Sequence, residues 1–559
     1  MHAKGSPTPA LTRRGLFRTL IAAGACSPIG ARALTTGPVE NAAHRFDFAE
    51  VVRRARELAS TPFDEAPDRL PPGIDSLDFD SWRNIRFRPD RAIPLDEAKA
   101  FRLETFHLGF LYKRAVTINL VQNGIAAPLH YSPSFFDFGR VRLDKSLGND
   151  TGFAGFRLHY PLNDPHVSDE LISFLGASYF RFLGRAQQYG LSARALCVEA
   201  GTSKESFPHF REFWLDFPAL GEGRATIYAL LDGEAATGAF RFDVTPGQET
   251  WLDVTATLFP RRSDVKFGLA PLTSMFFIGE NDHRRRDGFR AELHDSDGLL
   301  MLTGADEWIW RPLSNPASER MTSFTDRNVK GFGLMQRDRT FESYQDLELA
   351  YESRPSYFVE PKGDWGSGRV ELMELSTPDE SNDNIVASWT PKAPLAPLEP
   401  FSYGYRLTAC LDDARLSPSG RVANTFTAPA RALGSGEKAD PGTCRFLVDF
   451  AKGDLAYYMA DPSEVEAVAT ATKGTILRSS VISNPHVEGL RAMFDVAVAP
   501  GETSDLRLYL RAGARCLTET WTVPWTAPTL QSSPQTIATV GRDALDIRAA
   551  PLSGKPVRN

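Results

Sequence analysis

Short runs of alternating apolar and polar residues, each closed by a turn, recur along most of this chain. The segment GAFRFDVTPG (238–247) alternates in this way and ends at Pro-Gly, and ETWLDVTATLFP (249–260) follows it as a returning strand. A period of two is that of a half-buried β-strand, and the short turn favours antiparallel pairing. The pattern predicts a mainly β protein with a large antiparallel β-sandwich. Further runs of this kind are GRVELMEL (368–375), NIVASWTP (384–391) and FSYGYRLTACL (401–411).

Two segments near the start of the chain depart from this alternation. Residues 45–60, RFDFAEVVRRARELAS, have apolar side chains at helical spacing and predict an α-helix. The segment IPLDEAKAFR (93–102) predicts a second, shorter helix. Beyond it the β pattern dominates.

The length of 559 residues exceeds what one hydrophobic core usually serves, so we expect two domains. A polar stretch with Gly, Ser and Pro at 413–440 separates two sets of alternating runs and predicts a linker. The first set predicts a large β-sandwich domain over 40–412. The second set, made of several short strands, predicts an immunoglobulin-like domain over 441–530. The polar end of the chain, 531–559, predicts a loose tail.

The first 33 residues have the pattern of an export signal. Arg13 and Arg14 precede the apolar stretch 20–25, and a small-x-small sequence ends at Ala33. Paired arginines before a weakly apolar core are typical of a twin-arginine signal, which would be cleaved after Ala33. An amphipathic first helix is the alternative. The signal predicts a periplasmic protein that is exported already folded.

Charge and hydropathy exclude some classes of partner. The full chain has 63 basic and 70 acidic residues and a net charge of −7. Removal of residues 1–33 would leave 58 basic and 70 acidic residues, a net charge of −12. Such an acidic protein would be a poor binder of nucleic acid. No later apolar stretch reaches the roughly 20 residues of a membrane-spanning helix.

Cysteines and histidines form no cofactor or metal motif. Cys197, Cys410, Cys444 and Cys516 remain after the signal, with no C-x-x-C pair. The last three could pair in any of three ways in an oxidising compartment, and buried free thiols are the state that we expect. The ten histidines form no HxH or HExxH pattern, and P-loop, Rossmann and G-x-S-x-G signatures are missing. We therefore expect no cofactor and no metal site.

Four segments rich in aromatic residues and glycine also carry arginines and carboxylates: 174–196, 270–281, 291–316 and 331–368. Aromatic rings with polar rims suit sugars, which present apolar ring faces and a belt of hydroxyl groups. The same aromatics could instead fill the core of a sandwich, and the sequence leaves both alternatives open. The candidate substrate-binding residues in these segments are Tyr179, Arg194, Trp308, Arg311, Tyr351 and Arg354.

Two acidic loops offer carboxylates beside these segments. LHDSDGL contains Asp295 and Asp297, and PDESNDN contains Asp379, Glu380 and Asp383. Cleavage of a glycosidic bond needs one carboxyl group as proton donor and a second carboxylate as nucleophile or base. From residue types alone, the first loop also fits an Asx-rich turn and the second a solvated loop.

Seven strings in these segments, and one that begins in the second acidic loop, resemble one known family, the periplasmic glucan biosynthesis proteins G and D. They are FLGASYFR, YGLSAR, APLTSMF, LHDSDGL, EWIWRPLSNP, GFGLMQRDR, RPSYFVEPKGDWG and DNIVASWTP. The similarity extends from RFDF at 45 to LTETWTVPW at 517–525, and the twin-arginine signal resembles that of the D protein. The resemblance implies a galactose-mutarotase-like β-sandwich, then an immunoglobulin-like β-sandwich, and a role in making osmoregulated periplasmic glucans.

The resemblance also implies an activity and the residues that would perform it. Family members are glycoside hydrolases that act on β-1,2-glucan with inversion, and some transfer the chain instead. Asp383 would be the general acid and Asp295 the general base, while Glu380, Tyr351 and Arg354 would contact the substrate or the proton path. The alternative is a non-catalytic glucan-binding or scaffold protein that controls the backbone structure of these glucans.

One loop departs from the D protein, which has a tryptophan between its domains that reaches into a neighbouring subunit. The corresponding stretch here, GSGEKADPGTCRF (434–446), has no tryptophan. Whether two subunits share a site is therefore left open. The partners that the resemblance implies are β-1,2-glucan, an inner-membrane glucan synthase and a second copy of the chain as a homodimer, with no nucleic acid.

Overall fold

Strands make up most of the regular structure, which is a computed structural model. It describes residues 43–529 apart from 66–69, 72, 99, 143–146, 219–221, 283–287, 414, 432–439 and 441. The predicted export signal and the predicted tail lie outside the described residues. Among the residues described, no helix is both long and apolar enough to cross a membrane.

The first part of the chain contains two helices and a long series of strands. The helices are α1 (Phe48–Ala59) and α2 (Phe79–Asn84). The strands are β1 (His44–Arg45), β2 (Arg86–Phe87), β3 (Ile93–Pro94), β4 (Arg102–Phe106), β5 (Thr117–Gln122), β6 (Ile125–Pro128), β7 (Phe136–Asp137), β8 (Gly155–Tyr160), β9 (Asp169–Leu175), β10 (Tyr179–Phe182), β11 (Ser192–Arg194), β12 (Leu196–Val198), β13 (His209–Asp216), β14 (Ala225–Asp232), β15 (Ala236–Thr245) and β16 (Thr250–Pro260).

The middle of the chain continues in the same way. Its helix is α3 (Phe341–Tyr344). Its strands are β17 (Phe267–Ser274), β18 (Phe276–Ile278), β19 (Leu293–His294), β20 (Gly298–Leu302), β21 (Trp308–Pro312), β22 (Arg320–Arg327), β23 (Gly331–Met335), β24 (Ser356–Lys362), β25 (Ser367–Glu374), β26 (Ile385–Pro391) and β27 (Phe401–Cys410).

The last part of the chain is also made of strands, with one short helix, α4 (Leu455–Tyr458). Its strands are β28 (Arg421–Ala428), β29 (Thr443–Ala451), β30 (Glu466–Ala471), β31 (Thr475–Asn484), β32 (Gly489–Ala497), β33 (Thr503–Ala512), β34 (Arg515–Cys516) and β35 (Thr520–Thr526). The prediction of a mainly β protein is confirmed.

The helix predicted over 45–60 is confirmed as α1, and the helix predicted over 93–102 is wrong. The Asp47 carboxylate accepts from the Glu50 N–H at 3.0 Å and so caps α1. The second segment forms β3, a turn and the start of β4. In that turn the Asp96 carboxylate accepts from the Phe101 N–H at 3.1 Å, a local bond that competes with helix formation.

Three sheets account for most of the strands. Sheet I has the order β1-β6-β5-β13-β14-β15-β16-β27-β24-β23-β20-β21-β35-β33-β30, and β34 pairs with β33. Sheet II has the order β22-β25-β26-β17-β11-β10-β9-β8-β4-β3, and β12 pairs with β17. Sheet III has the order β28-β29-β32-β31. The hairpin predicted at 238–260 is confirmed, because β15 and β16 pair antiparallel along their length in sheet I.

Sheets I and II pack face to face through phenylalanines. Phe174 of β9 and Phe180 of β10 lie 5.3 and 5.2 Å from the ring centre of Phe242 on β15. These aromatic contacts and the surrounding aliphatic side chains form the main core. Side chains alternate along a strand. The residues next to these phenylalanines on β9 and β10 therefore point to the opposite face of sheet II, where the candidate site lies.

The last part of the chain shares both a sheet and a core with the middle part. Strand β35 pairs parallel with β21, with Trp310 opposite Trp521. The second core cluster combines these two tryptophans with Phe446 and Phe494 of sheet III. The segment predicted as a linker, 413–440, contains β28. The predicted domain bounds and the names galactose-mutarotase-like and immunoglobulin-like remain predictions.

The four described cysteines are all free thiols. Cys197, Cys410 and Cys444 are buried, as predicted, whereas Cys516 is exposed in β34. Burial raises the pKa of the Cys444 thiol to about 11, so this thiol stays protonated and unreactive at neutral pH.

Candidate functional site

Asp295 directly follows β19, at the point where this strand pairs with β18. Phe276 of β18 lies opposite His294, and the Asp295 N–H donates to the Met275 carbonyl at 2.8 Å. The Asp295 side chain is buried, with 6% of it exposed. The paired strand therefore fixes this carboxylate inside the protein, and the segment is not a solvated turn.

Arg354 binds the Asp295 carboxylate and is held in place by an aromatic ring. Its Nη1 donates to Asp295 Oδ1. Its guanidinium carbon lies 3.7 Å from the ring centre of Tyr351, which is buried and begins a short 3-10 helix. Tyr351 in turn stacks on Tyr344 with ring centres 5.6 Å apart. A planar guanidinium suits both contacts, because it can lie on a ring while its edge donates to a carboxylate.

Asp383 is fixed by its neighbour Asn384, which reaches the same backbone segment that holds Asp295. The Asn384 amide donates to the carbonyls of Phe276 and Leu375 at 2.9 and 3.0 Å. Its Oδ1 accepts from the Phe276 N–H at 2.8 Å. The segment Met275–Phe276 thus anchors both aspartates, which we call the acidic pair.

The rest of the second acidic loop differs from Asp383. Asp379 is exposed, and its Oδ1 accepts from both the N–H and the hydroxyl of Ser381, at 2.8 and 2.5 Å. These bonds form an Asx turn, so Asp379 shapes the loop. Asp383 lies four residues further on and is half-buried.

The charges of the acidic pair act on one another and on a third residue, Arg181. Burial raises the pKa of Asp295, Arg354 counters this, and the negative charge of Asp383 raises it again. Burial lowers the pKa of Arg181, but Asp383 and Asp295 together raise it above its ordinary value. Arg181 is therefore within electrostatic reach of both carboxylates.

Arg181 lies on β10, on the face of sheet II opposite the core. Phe180 and Phe182 on either side of it are buried, whereas Arg181 is exposed and Tyr179 is half-buried. Water reaches the Arg181 side chain although protein surrounds it on most sides. This combination is typical of a residue on the floor of a cleft.

Glu380 forms the rim of the site together with two residues from other loops. Its Oε2 accepts from Arg290 Nη2 at 2.7 Å, and Arg290 Nη1 donates to Asp346 at 3.2 Å. Burial raises the pKa of Tyr351 to about 12, with smaller contributions from surrounding charges that include Glu380 and Arg290. Glu380, Tyr351 and Arg354 are therefore brought together with the acidic pair.

Tyr179 and Arg194 lie on neighbouring strands, β10 and β11, and contact each other. The Arg194 guanidinium carbon lies 4.7 Å from the Tyr179 ring centre. Arg194 is buried and donates to Thr273 at 2.9 Å and to Glu205 at 3.2 Å. Arg194 therefore joins strands beneath the cleft, while Tyr179 shares a face with Arg181.

The structure does not bring Trp308 and Arg311 into this cluster. Trp308 packs on Phe358, with ring centres 6.1 Å apart, at the second core cluster. Arg311 is buried and donates to Glu374 at 2.9 Å. Trp308 thus packs against β24, and Arg311 binds the end of β25.

Half-buried ionisable groups surround the buried His294. His294 Nε2 lies 3.0 Å from Glu292 and 4.0 Å from Asp338. Burial and then the charge of Glu292 raise the pKa of Glu280 to about 8. Burial and then Asp297 raise the pKa of Asp338 well above the ordinary carboxyl range, and Asp338 shares a hydrogen bond with Glu292.

Three of these groups could hold a cation. Glu292, His294 and Asp338 each offer a ligand atom, and these atoms lie within 4.8 Å of one another. A proton shared between Glu292 and Asp338 would also relieve the repulsion between these carboxylates, because it removes one of the two half-buried negative charges. No metal pattern is visible in the sequence, since Asp338 lies far along the chain from Glu292 and His294.

Sequence reasoning missed two residues of the site, Arg181 and Arg290. Arg181 stands in SYFRFLG, where the alternation Phe-Arg-Phe marks it as the outward residue of a strand. That signal could have placed it on the face opposite the core. Nothing in the sequence around Arg290 indicates its ion pair with Glu380, which lies 90 residues further along the chain.

The family model and the individual relatives that match this chain all point to the same family. The sequence model of the family described as periplasmic glucan biosynthesis protein, MdoG, matches residues 46–525. The chain is 42% identical over 489 residues to a probable glucans biosynthesis protein D of Shewanella oneidensis, with 86% of this chain and 89% of that one covered. It is 44% identical over 486 residues to glucans biosynthesis protein G of Ralstonia nicotianae, with 86% and 96% covered.

A glucans biosynthesis protein D of Xanthomonas axonopodis pv. citri is 42% identical over 489 residues, with 86% and 91% covered. Relatives named D and G thus match this chain about equally well. Among solved structures, the Slr1438 protein of Synechocystis gives a TM-score of 0.15 at 9% identity, covering 63% of this chain and 100% of that one. That value is too low to bear on the fold.

Proposed function

This chain belongs to the MdoG family of periplasmic glucan biosynthesis proteins, and from that premise we propose that it cleaves or transfers the β-1,2-glucan backbone with inversion. Its role in periplasmic glucan biosynthesis follows from the family. The bond that is broken, the stereochemical outcome and the acting groups are what we propose in addition.

The observation that carries the proposal is the convergence of the acidic pair on one backbone segment. Asp295 and the residue after Asp383 both bind Met275–Phe276, and both carboxylates act on the charge of Arg181. Inverting glycosidases need a proton donor and a base that flank the scissile bond with room for a water molecule. Asp295 and Asp383 differ in burial and share Arg181 as a cationic neighbour. Such a pair can provide one proton donor and one base.

Asp295 suits the role of base. Burial and the charge of Asp383 raise its pKa, which makes the carboxylate a stronger proton acceptor than an exposed aspartate. Arg354 opposes this shift and favours the ionised form, which a base must have before it activates water. The Tyr351 ring beneath Arg354 holds this ion pair in position.

Asp383 suits the role of proton donor. It is half-buried and ends a loop that Asn384 ties to β18, so its carboxyl can face the cleft while its backbone stays fixed. A proton could pass from it to the glycosidic oxygen directly or through a substrate hydroxyl. Arg181 beside it can bind the ring hydroxyls of the sugar chain, because a guanidinium offers five donors.

Purified protein and linear β-1,2-glucan test the proposal. We expect the wild type to shorten the polymer or convert it to cyclic products, as read by thin-layer chromatography, with an inverted anomer seen by NMR. Asp383→Asn should abolish the change, and Asp379→Asn in the same loop is the matched control that should retain it. If the wild type binds the glucan and leaves its length unchanged, the activity is excluded and the non-catalytic glucan-binding alternative takes its place.

We also propose a periplasmic location reached by the twin-arginine route, which residues 1–33 support by their sequence. Replacement of Arg13 and Arg14 by lysine should retain the protein in the cytoplasm, as measured by cell fractionation. A homodimer and a functional link to an inner-membrane glucan synthase belong to the same proposal. Light scattering of the pure protein and co-purification with the synthase test these two partners.

A further inference from the structure

A second feature of sheet II lies at the opposite end from the acidic pair. A cavity of about 920 Å³ opens where β4 and β8 meet the antiparallel pair β2–β7. Four arginines and two aspartates line it, although the whole chain has a net charge of −7. The charged lining residues are Arg83, Arg86, Arg88, Arg157, Asp90 and Asp137.

The four arginines fall into two classes. Arg88 pairs with Asp90 at 3.0 Å, and Arg157 binds two glutamates at 2.7 and 2.9 Å. Arg83 and Arg86 are both exposed, and within the described parts of the chain neither guanidinium has an ion pair or a hydrogen bond. Two cationic groups that face a cavity without a partner have donors available for an anion.

Aromatic rings border the same cavity. The indole N–H of Trp82 donates to the His107 carbonyl at 2.8 Å, which fixes the plane of a half-buried ring. Phe106 and Phe138 add half-buried rings to the lining. Aromatic faces beside guanidinium groups suit a ligand that combines a sugar ring with a negative charge.

A chain of contacts connects this cavity to the acidic pair along the outer face of sheet II. Arg157 Nη1 donates to Glu170 at 2.9 Å, and Glu170 accepts from the Tyr189 hydroxyl at 2.9 Å. Gly190 follows Tyr189 and lies against Arg354, where an added Cβ would be 2.9 Å from the Arg354 Cβ. A ligand bound at the acidic pair could therefore extend over this face toward the cavity.

We propose that Arg83 and Arg86 bind an anionic substituent, a carboxylate or a phosphate, on a glucan chain whose backbone lies at the acidic pair. The inference rests on the proposed function, because it assumes that the substrate is a glucan. It adds that this glucan carries a negatively charged substituent. Strand β4 lines the cavity and β10 carries Arg181, which is within electrostatic reach of the acidic pair. The three strand spacings between these two strands are about 14 Å at roughly 4.8 Å each, so the substituent is remote from the bond that is cut. Its recognition would select substituted chains and fix their register in the cleft.

A pair of ligands of matched size tests the charge directly. Linear β-1,2-glucan is carboxymethylated, and part of it is converted to the methyl ester, which keeps the bulk and removes the charge. Binding is measured by calorimetry in an Asp383→Asn background, so that neither chain is cleaved. We expect the charged chain to bind about tenfold more tightly than its methyl ester, the gain of roughly one charge-assisted contact. Added salt should reduce this advantage.

Matched variants distinguish binding by the cavity arginines from a general attraction of the charged chain to positive charges on the protein. Arg83→Gln with Arg86→Gln should remove the advantage of the charged chain and leave the affinity for the methyl ester unchanged. Arg327→Gln with Lys392→Gln removes two exposed cations at the far edge of sheet II and should retain the advantage. Thermal unfolding of each variant verifies that the fold is intact.

Three outcomes would overturn the inference, and they differ from one another. Equal affinity for the charged chain and its methyl ester would show that the cavity does not read charge, while the proposed function stands. Inorganic phosphate alone binding as tightly as the charged chain would show that the ligand is a free anion. Failure of the Asp383→Asn protein to bind either chain would overturn the proposed function itself.

Discussion

The two acidic loops look alike in sequence and differ in the structure. LHDSDGL and PDESNDN are both short, polar and rich in turn-forming residues. In the first, Asp295 and Asp297 are buried. In the second, Asp379 is exposed and Asp383 is half-buried. The first loop lies between β19 and β20 and is enclosed by protein, whereas only the last residues of the second loop are drawn inward, by Asn384.

The pKa and the binding partners of a carboxylate therefore depend on the surrounding strands rather than on the residues of its own loop. Asp295 gains a raised pKa from burial and a guanidinium partner from a residue 59 positions away. Asp379 accepts local bonds from Ser381 within its own loop. The proposed base and a turn-forming residue are thus both aspartates in similar sequences.

We expect the largest effect on activity from substitution of the two proposed catalytic residues, one in each loop. Asp295→Asn and Asp383→Asn should each lower kcat on β-1,2-glucan by about 10²–10⁴-fold, the usual contribution of a general acid or base. Calorimetric binding of the glucan should persist in both variants. Asp379→Asn should stay within about twofold of the wild type. Equal losses in all three variants would mean that the loops act through structure and not through proton transfer.

The second prediction addresses the tie between the second loop and β18. Asn384→Ala would leave the N–H and carbonyl of Phe276 and the Leu375 carbonyl without these partners, in a buried place. We expect a loss of about 2–4 kcal/mol in the free energy of unfolding, measured by urea denaturation. Activity should fall as well, because Asp383 loses its anchor.

Asn382→Ala is the matched control for this variant. The Asn382 amide reaches Thr377 and Asp379 only at 3.5 and 3.4 Å, which is the limit of a hydrogen bond. Its removal should cost less than about 0.5 kcal/mol. If both variants cost the same, Asn384 would not be the anchor.

Much of the fold was predictable from the sequence, because strand alternation is a local property. The hairpin at 238–260, the helix α1 and the outward position of residues such as Arg181 all follow from spacing. The helix expected at 93–102 failed because Asp96 bonds the turn instead, a choice that spacing does not register.

The site was less predictable, because its partners are far apart in the chain. Composition could not separate Arg354, which binds Asp295 in the cleft, from Arg311, which binds Glu374 in the core. Both arginines stand in aromatic segments, and each finds its carboxylate about 60 residues away. Asp295 and Asp383 were picked out by the family resemblance, and their residue types alone would have left them as loop residues.

A third prediction concerns the pH dependence of activity, which the ionisation of Asp295 should control. As a base, Asp295 must be ionised, so activity should be lost as the pH falls through its raised pKa. Arg354 holds that pKa down, so Arg354→Gln should move the acid limb of kcat/KM to higher pH. The plateau should also fall about tenfold, since the carboxylate loses the contact that orients it.

Arg290→Gln is the control for this shift, because Arg290 binds Glu380 and Asp346 at the rim of the site. It should leave the acid limb unchanged. Arg354→Lys keeps the positive charge and should shift the limb less than Arg354→Gln does. An unchanged limb in Arg354→Gln would mean that Asp295 is not the group whose ionisation controls activity.

The smallest effect is on stability and returns to the burial that separates Asp295 from Asp379. The folded protein raises the pKa of Asp295 above its ordinary value of 3.8, so the folded state binds this proton more tightly than the unfolded state does. Stability contributed by this group is present at low pH and is lost as the pH rises through the raised pKa. Asn at this position has no such loss. The unfolding free energy of Asp295→Asn relative to the wild type should therefore rise as the pH increases from about 4 to 8. Urea denaturation across that range measures the difference, and Asp379→Asn, in the exposed turn, should show no comparable rise. A flat difference for Asp295→Asn would mean that Arg354 fully offsets the cost of burying the charge, and the two loops would then be electrostatically equivalent.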